Sequence, residues 1–230
     1  MPNFEVSLFL IILIVNHMKK FFKLFAAMAA LVVLLPIAAQ AQEAPDVLLK
    51  RISNEVLDAV KADKDIQAGN HKKVVELVDA KILPYVNFQR MTSLAAGRHW
   101  RDATPAQQKQ LANEFRDLLI YSYSGALSQV KNQKLVFKPL RADATDTEVE
   151  VRSEVIQARG EPIQLNYRVE KSGNSWKIYD INILGAWLVE TYKGNFNAEI
   201  TKGGLDGLIQ SLAEKNKKLA EKSAAPAKAS

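Results

Sequence analysis

Two histidines beyond residue 41 are the first candidates for chemistry, and their spacing supports little of it. His71 and His99 lack the His-Glu-x-x-His pattern that would place two imidazoles on one helix face as zinc ligands. The chain has no cysteine, which excludes disulfides, zinc–thiolate sites and cysteine nucleophiles. We therefore predict that His99, between Arg98 and Trp100, has a surface or hydrogen-bonded structural role.

The rest of the sequence also gives no evidence of a catalytic site, and the segments that resemble motifs are interpreted as structural. The hydrolase elbow Gly-x-Ser-x-Gly, the phosphate-binding loop and the dinucleotide-binding glycine pattern are missing. Gly203-Gly204-Leu205-Asp206-Gly207 follows no strand, so it is interpreted as a break between helices. Asp180 shares a strand face with Trp176 and Ile178, where a lone carboxylate would have a raised pKa. We expect it to cap a neighbouring loop, and we predict no catalytic or metal-binding residue.

The N-terminal region has the pattern of an export signal. From Met18, a basic start precedes an apolar run from Leu24 to Ile37 and a small-x-small site that ends at Ala41, so residues 18–41 are predicted to be a signal peptide. Residues 1–17 are interpreted as an upstream extension from a misassigned start codon. Residues 42–219 are predicted to form one α+β domain, and the Ala/Lys-rich residues 220–230 a disordered tail.

The net charge of +6 argues against one class of partner. Several of the lysines lie in the leader or near the C-terminal tail, which leaves no concentrated basic face in the predicted domain. We therefore predict no nucleic-acid partner.

Apolar periodicity predicts helices on both sides of a sheet region. Helices are expected over residues 46–62, 74–82 and 87–96, and a long one follows Thr104, whose N-cap pattern includes Pro105 and Gln107. Alternating residues predict four antiparallel strands over 134–140, 147–157, 162–170 and 176–183. A helical row from Leu188 to Ile200 follows. Helices, then strands, then helices indicate an α+β fold with helices on one face of the sheet.

Four motifs, in order and spacing, resemble the MlaC family of periplasmic phospholipid-binding proteins, also known as toluene-tolerance proteins. They are Leu83-Pro84-Tyr85-Val86, Gly97-x-x-Trp100 followed by residues 103–107, Trp176-Lys177-Ile178-Tyr179-Asp180, and Gly204-Leu205-Asp206-Gly207-Leu208. The resemblance implies a sheet curved like the nuclear transport factor cone, with N- and C-terminal helices that enclose an apolar cavity.

The resemblance also implies a function and partners. A soluble periplasmic carrier would shuttle phospholipid between the outer-membrane lipoprotein MlaA complex and an inner-membrane ABC transporter with the MCE-domain protein MlaD, and so maintain outer-membrane lipid asymmetry. The cargo would be a phospholipid, and no cofactor or enzymatic activity is implied. Members usually have Gly-Val-Ser where this chain has Gly185-Ala186-Trp187.

On this reading, the acyl chains would lie between the apolar sheet face and the long helix. The expected lipid-binding residues are Phe115, Leu119, Tyr123, Leu127, Val149, Val151, Leu165, Tyr167, Val169 and Trp187. Arg90 and Arg98 are weaker candidates for the headgroup phosphate, because arginine suits phosphate geometry.

Two alternatives remain open at this stage. An adaptor that bridges membrane complexes would have the same fold with a fully packed core and no lipid. An exported hydrolase would need a nucleophile or paired carboxylates, which the sequence does not supply.

Overall fold

The described region begins and ends with helices. The computed structural model describes residues 42–131, 133–143 and 145–224, so the predicted leader lies outside the described residues. Within these ranges the helices are α1 Pro45–Ala62, α2 Lys64–Gln67, α3 His71–Lys81, α4 Phe88–Ala96, α5 His99–Asp102, α6 Pro105–Ser128 and α7 Leu188–Ala224, with a 3₁₀ turn at Leu83–Tyr85.

The start of α6 confirms the predicted capping box. The Thr104 hydroxyl accepts a hydrogen bond from the Gln107 backbone N–H at 3.3 Å, and the Gln107 side-chain oxygen accepts one from the Thr104 N–H at 3.0 Å. Together these bonds satisfy two donors that a helix N-terminus leaves free. They fix where the longest predicted helix begins.

The glycine break predicted in the C-terminal helical region is confirmed. Gly204 has φ 68° and ψ −169°, which are not helical, so α7 consists of two helical segments that meet at a kink there. Glycine suits this position because side chains disfavour positive φ. The helix continues to Ala224, so residues 220–224 of the predicted disordered tail are helical.

The sheet contains more strands than the four predicted. The described strands are β1 Lys134–Phe137, β2 Glu148–Val151, β3 Ser153–Ile156, β4 Ile163–Ser172, β5 Ser175–Ile183 and β6 Ala186–Trp187. All pairings between these strands are antiparallel, in the order β1-β3-β4-β5-β6, and β2 also pairs with β4. The predicted α+β class and antiparallel sheet are confirmed.

The predicted second strand is broken at Arg152 because of its neighbour β4. The Ser153 backbone N–H donates to the Asn166 side chain at 3.1 Å instead of to a backbone carbonyl. Beyond this point β3 pairs with β1 as well as with β4. A second irregularity interrupts the β4–β5 ladder between Arg168 and Val169. Such interruptions bend strands, and the resulting sheet is open and curled.

Two apolar clusters lie against this sheet. We call the first the inner layer: it packs α1, α2 and α3 and the C-terminal half of α6 against β2, β4 and the first part of β5. We call the second the outer cluster: it packs α4, the first part of α6 and α7 together at the far end of β5.

Candidate functional site

The inner layer is the largest set of apolar side chains facing the sheet. Its buried members include, from the helices, Leu48, Leu49, Ile52, Val56, Val60, Ile66, Val74, Val78 and Ile120, and, from the strands, Val149, Val151, Tyr167, Val169, Trp176 and Ile178. The helical residues repeat at three- and four-residue spacing, and the strand residues alternate, so each element contributes one apolar face. An apolar layer between a sheet and helices suits an apolar ligand.

Six of the predicted lipid-binding residues lie together in the inner layer. Val149 and Val169 form a cross-strand pair, and Val151 pairs with Tyr167. Leu165 and Leu127 are partly buried and pack against the same layer. The structure therefore brings together the sheet residues chosen from the alternating pattern.

Three residues of the long helix lie elsewhere. Phe115 is fully buried in the outer cluster, where its ring makes edge contacts with Tyr192 at 4.9 Å and Phe196 at 5.0 Å. Leu119 belongs to the same cluster, and the Tyr123 side chain is 38% exposed. Phe115 and Leu127 are separated by about 18 Å along the helix axis. The helix thus passes from one cluster to the other, and only its C-terminal part faces the inner layer.

Trp187 lies under a guanidinium group. The Arg168 guanidinium carbon is 3.9 Å from the centroid of the Trp187 ring, a cation–π contact. The same Arg168 is 3.3 Å from a carboxylate oxygen of Asp180. The partly buried indole therefore packs in a polar group that joins β4, β5 and β6.

Asp180 caps the start of a helix, whereas the sequence predicted that it would cap a neighbouring loop. Its carboxylate is 1% exposed and accepts hydrogen bonds from the backbone N–H groups of Val189 at 3.0 Å and Ile181 at 2.9 Å. Burial raises the pKa of this carboxyl, while the two backbone donors and Arg168 act in the opposite direction. The start of α7 is thus attached to β5.

Arg90 is held by carboxylates. It forms ion pairs with Glu170 and, at 2.7 Å, with Glu148, and its guanidinium lies 3.8 Å from the centroid of the Tyr179 ring. The Tyr179 hydroxyl in turn donates to Glu148 at 3.0 Å. Two negative charges already balance this arginine, so the geometry favours a structural role. Arg98 is exposed at the start of α5, and its headgroup role remains a prediction.

The two histidines are in different surroundings. Burial lowers the pKa of His71, whose Nδ1 lies 3.2 Å from the Ser124 hydroxyl and whose ring stacks on Tyr121 at 5.1 Å. His99 Nε2 lies 3.3 Å from the Asn197 side-chain oxygen, the structural role predicted for it. In the part of the chain that the structure describes, no three His, Asp or Glu side chains cluster as metal ligands would.

The lipid-binding residues predicted from the sequence include none from α1 or α3, the helices that cover the inner layer. Val56 and Val60 of α1 and Val74 and Val78 of α3 are as buried as the strand residues. Their periodicity marked them as apolar faces, which could have identified them as the cover of the sheet. Trp176 and Ile178 were visible in a strand with a clear alternation and also belong to this layer.

The helices of the described region show no membrane-crossing candidate: none combines sufficient length with sufficient hydropathy.

The curled sheet and its covering helices define a class of lipid-binding α+β proteins with a known example. The solved structure of a phospholipid-binding protein from Ralstonia solanacearum, in complex with a phospholipid, is similar with a TM-score of 0.73 and 51% sequence identity, over 79% of this chain and 99% of that chain.

Residues 50–214 match the MlaC protein family, and this chain therefore belongs to that family. The intermembrane phospholipid transport system binding protein MlaC of Haemophilus influenzae is 26% identical over 177 residues, which are 76% of this chain and 83% of that protein. The toluene tolerance protein of Pseudomonas putida is 23% identical over 172 residues, 74% of this chain and 80% of that protein. The family resemblance inferred from the motifs is confirmed.

Proposed function

We propose that this protein is a phospholipid carrier whose cargo lies with its acyl chains in the inner layer. The main support is the phospholipid in the Ralstonia solanacearum structure, which this chain matches over 99% of that protein's length at 51% identity. At that identity, the fold and the apolar faces that line a shared site are expected to be retained. The inner layer supports this placement because the apolar side chains of a sheet face and of α1, α2, α3 and α6 meet there.

The energetics suit a carrier. Removal of one methylene from water is worth about 0.8 kcal/mol, so two acyl chains with about 30 methylenes in total represent about 24 kcal/mol. A bilayer offers the same chains a similarly apolar environment. The exchange between membrane and protein is therefore close to balanced, and a lipid can both enter and leave.

The proposed site of action and partners are those that the family resemblance implies. The protein would act in the periplasm after removal of residues 1–41 and would exchange phospholipid with the outer-membrane MlaA complex and with the inner-membrane transporter that contains MlaD. Because the lipid has a similar free energy in the membrane and in the protein, these partners would determine the direction of transport. The support is the Haemophilus influenzae relative, which is named as the binding protein of an intermembrane phospholipid transport system. We assign the same role to this chain.

Transfer between vesicles tests the carrier function. Donor vesicles with a fluorescent phospholipid and unlabelled acceptor vesicles are mixed with and without the purified protein. We expect the transfer rate to increase in proportion to protein concentration. A rate equal to that of spontaneous exchange at every concentration would contradict the proposal.

A further inference from the structure

One buried donor in the inner layer has no partner. Trp176 is 7% exposed, and among the described residues no acceptor lies within hydrogen-bond distance of its indole Nε1. A buried indole N–H usually finds an acceptor, because leaving it without one is unfavourable. Tyr167, the other polar side chain in this layer, does have partners in Ser53 and Ser153. Of these two polar side chains, Trp176 is therefore the one whose donor lacks a partner among the described residues.

The position of Trp176 places it at one edge of the layer. It lies next to the β4–β5 turn, where Ser172 and Ser175 form the last pair of the ladder. Lys171 is its direct cross-strand partner. Residues paired in this way point to the same face of a sheet, with Cβ atoms about 5 Å apart. A cation and an indole donor thus share one edge of the inner layer.

Lys171 has a free charge at this edge. Its side chain is exposed, and within the described ranges it makes no ion pair or hydrogen bond. The neighbouring basic residue on β5, Lys177, instead donates to the Pro84 carbonyl. The carboxylates of Glu148 and Glu170 are engaged by Arg90 on the other face. A lipid phosphate that approaches this edge would therefore meet an unpaired ammonium group.

We propose that the Trp176 indole N–H donates a hydrogen bond to the carbonyl oxygen of an acyl ester in the bound phospholipid, with Lys171 beside the phosphate. This assignment rests on the proposed carrier function. The indole nitrogen only donates, so its partner must be an acceptor. Hydrocarbon offers none, and the first acceptors on an acyl chain are the ester oxygens at its glycerol end, next to the phosphate.

The assignment orients the ligand. The glycerol and headgroup lie at the β4–β5 turn, and the acyl chains run along β4 toward Val169 and Tyr167. The four steps along the strand from Lys171 to Tyr167 span about 13 Å. The apolar residues of α1 and α3 cover this path from the other side.

Two phospholipids that differ only at the linkage test the hydrogen bond. A diacyl phospholipid has ester carbonyls, and its dialkyl ether analogue has none. We expect the protein to bind the diacyl form about three- to tenfold more tightly, the range of one net hydrogen bond. Trp176→Phe should remove this preference, whereas Trp100→Phe, in the outer cluster, should keep it.

The indole resonances give a second readout that does not need a folded Trp176 variant. The chain has three tryptophans, so ¹⁵N-labelled protein shows three indole N–H signals, and Trp100→Phe and Trp187→Phe assign the Trp176 signal by elimination. The Trp176 proton should move downfield with the ester lipid and much less with the ether lipid. Equal positions with both lipids, or an ester preference that survives in Trp176→Phe, would overturn the proposal. Absence of binding for both lipids would instead contradict the carrier function.

The phosphate contact has its own test. Lys171→Gln should weaken binding of the phospholipid several-fold and leave binding of the corresponding diacylglycerol unchanged, because only the first carries a phosphate. Lys177→Gln, on the adjacent strand, is the matched control and should change neither ratio. Loss of affinity for both lipids in Lys171→Gln, or for neither, would contradict the role of Lys171.

Discussion

The buried carboxylate of Asp180 accepts a hydrogen bond of 3.0 Å from the backbone N–H of Val189, and so joins the centre of β5 to the first turn of α7. A negative side chain at a helix N-terminus satisfies a free donor and complements the helix dipole. This contact determines where the C-terminal helix leaves the sheet. The outer cluster depends on that direction, since Val189 and Phe196 of α7 are both buried in it.

Removal of the Asp180 carboxylate should destabilise the fold. In Asp180→Ala the Val189 N–H loses its acceptor in a buried position, so we expect the free energy of unfolding to fall by about 1–3 kcal/mol. Denaturant unfolding measures the change. Glu190→Ala, an exposed position in the same turn, should cost much less. Equal stability of Asp180→Ala and the wild type would contradict the capping role.

Arg90 should matter for stability more than for lipid binding. Arg90→Lys keeps the charge but cannot hold both Glu148 and Glu170 in the same geometry, so we expect a loss of about 1–2 kcal/mol. The lipid content of the folded variant should stay at the wild-type level. Arg98→Lys is the control for an exposed arginine and should change stability little. A variant at Arg90 with normal stability and no lipid would instead assign the headgroup to this residue.

His71 should make the protein less stable in mild acid. Burial lowers the pKa of His71 in the folded protein, so the unfolded chain takes up its proton at a higher pH. The stabilisation is therefore complete above the unfolded value of about 6.5 and is lost as the pH falls below it, by at most about 1.4 kcal/mol per pH unit. The start of α3, where His71 lies, also disfavours a positive charge.

Denaturant unfolding at pH 7.5 and pH 5.0 measures this effect. His71→Gln should lose part of the decrease between the two pH values, and His99→Gln should retain it. An identical decrease in His71→Gln and the wild type would show that other groups cause the acid sensitivity.

Local signals predicted much of the fold, and contacts between distant segments account for the differences. The capping box of Thr104 and Gln107 is contained in four residues, and the structure has it as predicted. The break at Arg152 depends on Asn166, which belongs to another strand, so the alternating pattern of β2 and β3 could not reveal it.

In the candidate site, too, local patterns predicted which residues share a face, whereas contacts between distant segments determined what covers that face. Periodicity shows that Phe115 lies on an apolar face but not which element covers that face, and the structure places it against α7. Alternation placed Val151 and Tyr167 on one face of the sheet, and the structure pairs them in the inner layer. The ion pairs that neutralise Arg90 join residues far apart in sequence, and no local pattern indicates them.

Enlargement of a side chain in the inner layer separates a carrier from an adaptor with a packed core. In a carrier, Val151→Trp and Leu165→Trp should occupy the space of the acyl chains and release lipid while the fold is retained. In a packed core the same changes should destabilise the protein by about 1–3 kcal/mol through overpacking. Val136→Trp, at an exposed position of β1, is the matched control and should alter neither lipid content nor stability.

Native mass spectrometry of the freshly purified protein tests the central claim most directly. We expect the wild type to carry an added mass equal to that of a phospholipid, and Val151→Trp to have lost it with its circular dichroism unchanged. A wild-type protein at the mass of the polypeptide alone, which gains nothing after incubation with phospholipid vesicles, would contradict the assignment of this chain as a phospholipid carrier.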